Sequence, residues 1–312
     1  MGSYTAELMN TEFYIEVSDQ TTPGWEEQVD HWLRYVDAEW SRFRNNNELD
    51  QLNRAPIGTE LVLSPPLYDV LRTADQYRIK TQDRFSPYLK KALEQQGYNR
   101  SFPFSSSESS VLESFIVEEN PYVFKEDFTV VKKTERQIDL GGIGKGYAVQ
   151  GAAKWLQEHG AVYGLVDGGG DMAVWSDGEK QWKIGVSDAW DSSRQAGVFT
   201  FKNASIATSN RVYRSWTQGT EQEQKHHLLD GRTGKVLDSD IVQATAVASN
   251  CAEAEVAAKM CFLLKEEERE QWFKNEMPDV HYLLLKANGE LVPRNKGKNN
   301  TKLRTGRGSA FH

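Results

Sequence analysis

The chain has 312 residues, of which 38% are apolar and 26% charged, with a net charge of −8. That length serves one large domain or two intimate subdomains, and the composition is ordinary for a globular enzyme. The acidic balance argues against general nucleic-acid binding, and no run approaches the ~18 consecutive apolar residues of a membrane span.

Residues 1–17 have neither the basic start nor the apolar core of a signal peptide, and no lipobox cysteine, so a cytoplasmic location is expected. Glu12–Val17 alternates as a strand does. Trp25–Trp40 carries Val29, Trp32, Leu33, Val36 and Trp40 at helical spacing, an amphipathic helix. Ser41–Asn53 reads as an Asn-rich turn and the start of a short helix. Pro65 and Pro66 open a helix over Leu67–Thr81. Ser101–Ser114, rich in Ser and Glu, reads as a surface loop.

Phe128, Val130, Val131, Ile138 and Leu140 predict strand material leading into DLGGIGKG, Asp139–Gly146. From Tyr147 to His159 the residues Val149, Ala152, Ala153 and Leu156 recur at helical spacing, and Gly160 is the stop. A Gly-rich turn between strand and helix leaves backbone N–H groups at a helix N-terminus, where they favour an anion. Lys145 adds a mobile positive charge. A phosphate cradle and an ordinary strand-to-helix turn both fit this stretch taken by itself, which matches neither G-x-G-x-x-G nor a Walker A pattern.

GLVDGGGDM, Gly164–Met172, reads as a second strand ending in glycines and Asp171, an acid that either touches ligand or holds the loop. Trp182–Val186 and Gly197–Phe201 are expected as short strands of the same sheet system, joined by a polar loop. ATSN, Ala207–Asn210, offers the hydroxyls of Thr208 and Ser209. HLLDGRTG follows at His227–Gly234, and ATAVASNCAEAEVAAKM at Ala244–Met260. Cys251 and Cys261 fit neither a disulfide nor a metal-ligand set and are expected as buried thiols. His281–Leu285 and Leu291–Val292 read as a hairpin about Asn288-Gly289. Residues 1–293 are expected as a single domain. Residues 294–312 are basic, without apolar periodicity, and read as a flexible tail.

These motifs, in this order and spacing, resemble the ApbE-like family, the FAD:protein FMN transferases, from about Met9 to the helix after Asn250. The resemblance implies an α+β fold: mixed and antiparallel sheets flanked by helices, in two interwoven lobes with the flavin site between them. It implies binding of FAD and movement of its FMN half to a Ser or Thr hydroxyl of an acceptor protein, with release of AMP. Two alternatives share the same pocket: FAD binding without transfer, and FAD pyrophosphatase activity with water as acceptor.

The resemblance also implies site residues. Met9, Phe43, Phe85, Ser86, Asp139, Lys145, Thr208, Ser209 and Leu229 fall at FAD-contacting positions. Phe43 reads equally as a core phenylalanine, and the alternative role of Asp139 is to cap the turn after it. Ser86 replaces the acid of the family's G-x-F-D-P-T, and Gly231 replaces the proline of its H-x-x-D-P-x-T-G. His227 corresponds to the histidine beside the flavin phosphates, where it positions the attacking hydroxyl or acts as general base. The family's Mg²⁺ ligands are a carbonyl of the Gly-rich turn, here Gly142, and an Asp and a Thr on the closing helix, here Glu255 and Lys259. Three readings of that departure stand: Lys259 replaces the metal, Glu255 and Lys259 form a plain i,i+4 ion pair with Mg²⁺ elsewhere, or only flavin binding remains.

Overall fold

A computed structural model describes residues 1–107, 117–219, 223–295 and 301–309. In chain order the first elements are β1 Gly2–Leu8, β2 Thr11–Val17, α1 Trp25–Glu39, α2 Glu48–Arg54, β3 Glu60–Val62, α3 Pro65–Lys80 and α4 Lys90–Gln95. Then come β4 Ser106–Ser107, β5 Tyr122–Phe124, β6 Thr129–Lys132, α5 Gly144–Glu158, β7 Gly164–Gly168, β8 Met172–Trp175 and β9 Trp182–Ser187. They are followed by β10 Arg194–Phe201, β11 Ala204–Asn210, β12 Ser215–Gln218, β13 Glu223–His226 and β14 Ile241–Ala248. The last are α6 Cys251–Leu263, α7 Glu266–Glu276, β15 His281–Lys286, β16 Leu291–Arg294 and β17 Lys302–Ser309.

The chain divides into two compact units. Unit 1 comprises Met1–Leu33, Lys145–Tyr213 and Asp238–His312; unit 2 comprises Arg34–Gly144 and Arg214–Leu237. Each unit is built from separated stretches of chain.

Unit 1 holds an eight-stranded sheet in the order β1-β2-β7-β8-β11-β14-β15-β16, every neighbouring pair antiparallel. A second sheet, β17-β10-β9, packs on it through Phe199, Phe201, Trp182, Ile206, Val247 and Leu283, all buried. The strands at Trp182–Val186 and Gly197–Phe201 therefore form their own sheet rather than joining the larger one. The 294–312 stretch, expected as a tail, contributes β17: Lys302 to Arg304 pair with Thr200 to Val198 of β10, and Leu303 packs against the core between the sheets. Backbone pairing and one apolar side chain order it, which period-based reading of a basic sequence does not register. Residues 296–300 and 310–312 of that stretch lie outside the described residues.

Helix α5 ends in a Schellman turn. Gly160, at φ +92°, sits just past its end, and the Ala161 N–H donates to Leu156 O at 2.9 Å. Close packing of α5 needs small residues: a Cβ on Gly151 would lie 2.7 Å from the Trp32 ring. Helix α6 is apolar around nearly its whole circumference and starts on Asn250, whose side chain accepts the Glu253 N–H at 2.9 Å.

Unit 2 carries two small sheets, β13-β12-β4 and β3-β6-β5. The stretch Ile138–Leu140, expected as strand, is not one, although both residues are buried. The Asn53 amide stands in for a neighbouring strand. Its Oδ1 accepts the Ile138 N–H at 2.7 Å and its Nδ2 donates to Ile138 O at 3.0 Å. The Asp139 N–H donates to Pro87 O at 2.8 Å. The expected loop at Ser101–Ser114 falls partly on β4, and residues 108–114 lie outside the described residues.

Candidate functional site

In unit 2 the RFSPYL turn, the Gly-rich turn and the HLLDGRTG turn come together. The Ser86 hydroxyl accepts the Tyr88 N–H at 3.2 Å, so a serine supplies the local bond that an aspartate makes in such turns. Phe85 is buried, its N–H donating to Thr81 Oγ1 at 3.2 Å. The Gly231 N–H donates to Arg84 O at 2.9 Å, and a Cβ there would lie 2.2 Å from Asp83 O and 2.7 Å from Ser86 Cβ. Proline at 231 would lose the bond and clash, so glycine fits the close approach of two turns. Leu229 is buried with Leu93, Tyr98 and Trp216 and bridges to Val236.

Asp139 is engaged at both oxygens. Oδ1 accepts the Gly141 N–H at 2.7 Å and Oδ2 lies 2.5 Å from Arg42 Nε, with both side chains at least nine-tenths buried. The turn-capping role is thus realised, with a buried ion pair added to it. Arg42 also donates through Nη1 to Tyr98 O at 2.8 Å, and its guanidinium lies 4.3 Å from the ring centroids of Phe43 and of Tyr98. Phe43 keeps 39% of its surface exposed, so it is not a core phenylalanine. Arg42 went unremarked in the sequence; the available signal was its position beside Phe43.

The two histidines differ in burial and in partners. His226 is buried, accepts the Leu228 N–H at Nδ1 (3.3 Å) and so donates from Nε2 to Leu237 O (3.1 Å). His227 is half-buried, its Nδ1 3.5 Å from Arg214 O.

In unit 1, Lys145 stands in the first turn of α5 and pairs with the buried Asp171, which fixes the three-glycine turn after β7. Asp171 therefore holds the loop through a lysine. Nearby, Asp167 accepts the Gly170 N–H at 2.8 Å. Burial pushes the Asp167 carboxyl up, and the charge of Asp171 adds to the rise. The β1–β2 hairpin tip packs on the same turn: a Cβ on Gly169 would lie 1.9 Å from Thr11 Oγ1. At that tip Met9 and Asn10 take φ of +50° and +63°, the left-handed pair of a tight hairpin turn. Asparagine suits that conformation; methionine is held in it against its preference.

Thr208 and Ser209 lie inside β11, so successive side chains point to opposite faces of the sheet. Thr208 Oγ1 sits 2.9 Å from Thr245 Oγ1 across the ladder, and Ser209 is buried. The strand thus presents the two hydroxyls on opposite faces.

Glu255 and Lys259 share one face of α6. The Lys259 ammonium lies 3.2 Å from Glu255 Oε1, and Glu255 Oε2 accepts the Gly146 N–H at 2.9 Å. Glu255, 3% exposed, thus caps the N-terminus of α5 while α6 supplies its counter-charge. Each oxygen already takes a donor, and an ammonium stands where a ligand oxygen is needed. These residues do not fit the divalent metal that the motif implies, and among the described residues no group of three or more His, Cys, Asp or Glu is arranged to hold one. Both cysteines are free and buried. Burial first, then Asp171 and Glu255, holds the Cys251 thiol well above its usual range.

The ApbE family model matches residues 9–284, a span that contains every candidate residue above. The chain belongs to the ApbE family. Among curated relatives, the FAD:protein FMN transferase of Chlamydia pneumoniae is 25% identical over 279 residues, covering 84% of this chain and 82% of that protein. The one from Klebsiella pneumoniae is 28% identical over 127 residues, and the match spans only 38% of its length. The crystal structure of the ApbE protein from Thermotoga maritima superposes with a TM-score of 0.80 at 20% identity, covering 95% of this chain and 97% of that one. The mixed fold with antiparallel sheets is thus the ApbE fold. No helix among the described residues is long and apolar enough to cross a membrane.

Proposed function

We propose that this ApbE-family chain is an FAD:protein FMN transferase, which binds FAD and passes FMN to a Ser or Thr hydroxyl of an acceptor protein. The observation that carries the reading is the family match over residues 9–284, with curated relatives of that name. In the reaction the acceptor oxygen bonds to the flavin-side phosphorus, the bond from that phosphorus to the bridging oxygen breaks, and AMP leaves. The acceptor proton passes to His227 as general base, and charge developing on the phosphoryl oxygens is stabilised by Lys145 and backbone N–H groups of the Gly-rich turn. Phe43, the Phe85–Ser86 turn and the Leu229 backbone receive the flavin ring, and Met9 shapes the same ligand's surroundings. Asp139 acts through its bonds to Gly141 and Arg42, as a positioning residue. One of Thr208 and Ser209, the half-buried Thr208, is the hydroxyl that reaches ligand.

A second reading, FAD binding without transfer, draws on the pairing of Glu255 with Gly146 and Lys259, where the motif has metal ligands. Incubating the protein with FAD alone, and with FAD and Ser/Thr-containing acceptor peptides, decides between them. AMP appearing with covalently flavinylated peptide supports transfer. AMP without peptide means hydrolysis. Tight FAD binding with no AMP in either mixture means storage or sensing, and overturns the proposal.

A further inference from the structure

The Glu255–Lys259 pair is not an ordinary surface i,i+4 pair. Its carboxylate is 3% exposed and its ammonium 14%, and Lys259 Nζ also approaches Glu255 O at 3.5 Å. Gly146 presses directly on it: a Cβ there would lie 2.8 Å from Glu255 Oε2 and 2.9 Å from Cys251 O. The carboxylate is therefore held from two sides, by the first turn of α5 and by the ammonium on its own helix. Close by, the Lys145 ammonium pairs with Asp171. Each of these two buried acids thus has a lysine as built-in counter-charge, and a divalent cation added beside Glu255 would meet an ammonium at contact distance.

We propose that Lys259 takes the place of a divalent cation in this chain, so that FAD binding and AMP release need no Mg²⁺. This inference rests on the reading of the chain as an FAD-binding transferase. The ammonium supplies one fixed positive charge that cannot be chelated away. It also fixes the Glu255 carboxylate on the Gly146 N–H, which keeps the start of α5 in the geometry the Gly-rich turn requires.

The test is FAD affinity, read by quenching of flavin fluorescence, on protein shown by elemental analysis to be metal-free, in EDTA and in millimolar Mg²⁺. Where a divalent counter-charge is integral, its removal weakens binding by on the order of 10²-fold or more, given charges near contact at an effective dielectric of about 20. The expected change here is less than about threefold, because the charge that matters is covalent to the chain. AMP release with acceptor peptide should follow the same pattern. Loss of FAD in EDTA and its recovery with Mg²⁺ would overturn the inference while leaving the transferase reading intact. No FAD binding in either buffer would overturn the transferase reading and this inference with it. Two variants sharpen the result. Lys259→Met, checked for folding by Tm, should lose FAD affinity by about tenfold or more through loss of one positive charge. Glu255→Asp with Lys259→Thr should make FAD affinity rise with Mg²⁺, since it restores the oxygens that ion prefers. Unchanged affinity in folded Lys259→Met would count against the proposal even if the parent ignores EDTA.

Discussion

Gly231 shows how a single atom decides a local design. The position would suit proline by family pattern, yet here its N–H bonds to Arg84 O and its Cα faces Asp83 O. Gly231→Ala is expected to destabilise the protein by about 1–3 kcal/mol, as overpacking does, and Gly231→Pro by more because the bond is lost as well; urea denaturation measures both. His227→Ala should lower the transfer rate by ~10²–10⁴-fold and leave FAD affinity nearly intact. A matched loss of affinity and rate would reduce His227 to a pocket wall, and His226→Ala, which breaks bonds on the buried side, provides the contrast. A third residue reports on pH. His281 is buried, shares a 3.0 Å hydrogen bond with Asn295, and burial holds its imidazole below the usual range, with Arg294 acting in the same sense. Because the folded pKa is depressed, its stabilising contribution is complete above about 6.5 and is lost as pH falls through the folded value. Chemical denaturation between pH 7 and pH 5 should show stability falling, and His281→Phe should flatten that fall.

At the scale of elements, the helices and hairpins were legible in the sequence because their signals are local. Pro65-Pro66, the Gly160 stop and the Asn288-Gly289 turn each act within one or two turns of chain, and α3, the end of α5 and the β15–β16 hairpin fall where they point. What was not legible depends on partners far along the chain. Ile138–Leu140 has strand composition, but its hydrogen-bond partners are the Asn53 amide and Pro87, so no ladder forms. Asn53→Ala is expected to cost about 2–4 kcal/mol by leaving two buried backbone groups of Ile138 unpaired, measurable as a lowered urea midpoint with unchanged slope. The candidate site divides the same way. Lys145, Asp139 and Glu255 were visible as charged residues at ordered spacing. That each is already paired, with Asp171, Arg42 and Lys259, was visible only for the last, which lies four residues away on one helix.

At the scale of the molecule, the C-terminal strand is part of the fold. Ending the chain at Asn295 should expose one edge of β10, uncover Leu303's partners and lower Tm, with Leu303→Ser producing part of the same loss. The division of the chain also sets a timetable for synthesis. The β1–β2 hairpin emerges from the ribosome before the rest of its sheet, and its next partner, β7, follows only after all of Arg34–Gly144. A two-stranded hairpin alone is marginal in water, so this early piece must wait. Unit 2 receives its last residue at Leu237, while the large sheet of unit 1 still lacks β14, β15 and β16. Unit 2 is therefore expected to finish folding first, although its chain is made second. Protease digestion of ribosome-stalled chains should give protected fragments from Arg34–Gly144 and Arg214–Leu237 when synthesis halts well past Leu237, with residues 1–33 and 145–213 still cut. Protection of the N-terminal hairpin should arrive only when β14 to β16 have cleared the exit tunnel, and earlier protection would mean that the hairpin finds shelter without its sheet.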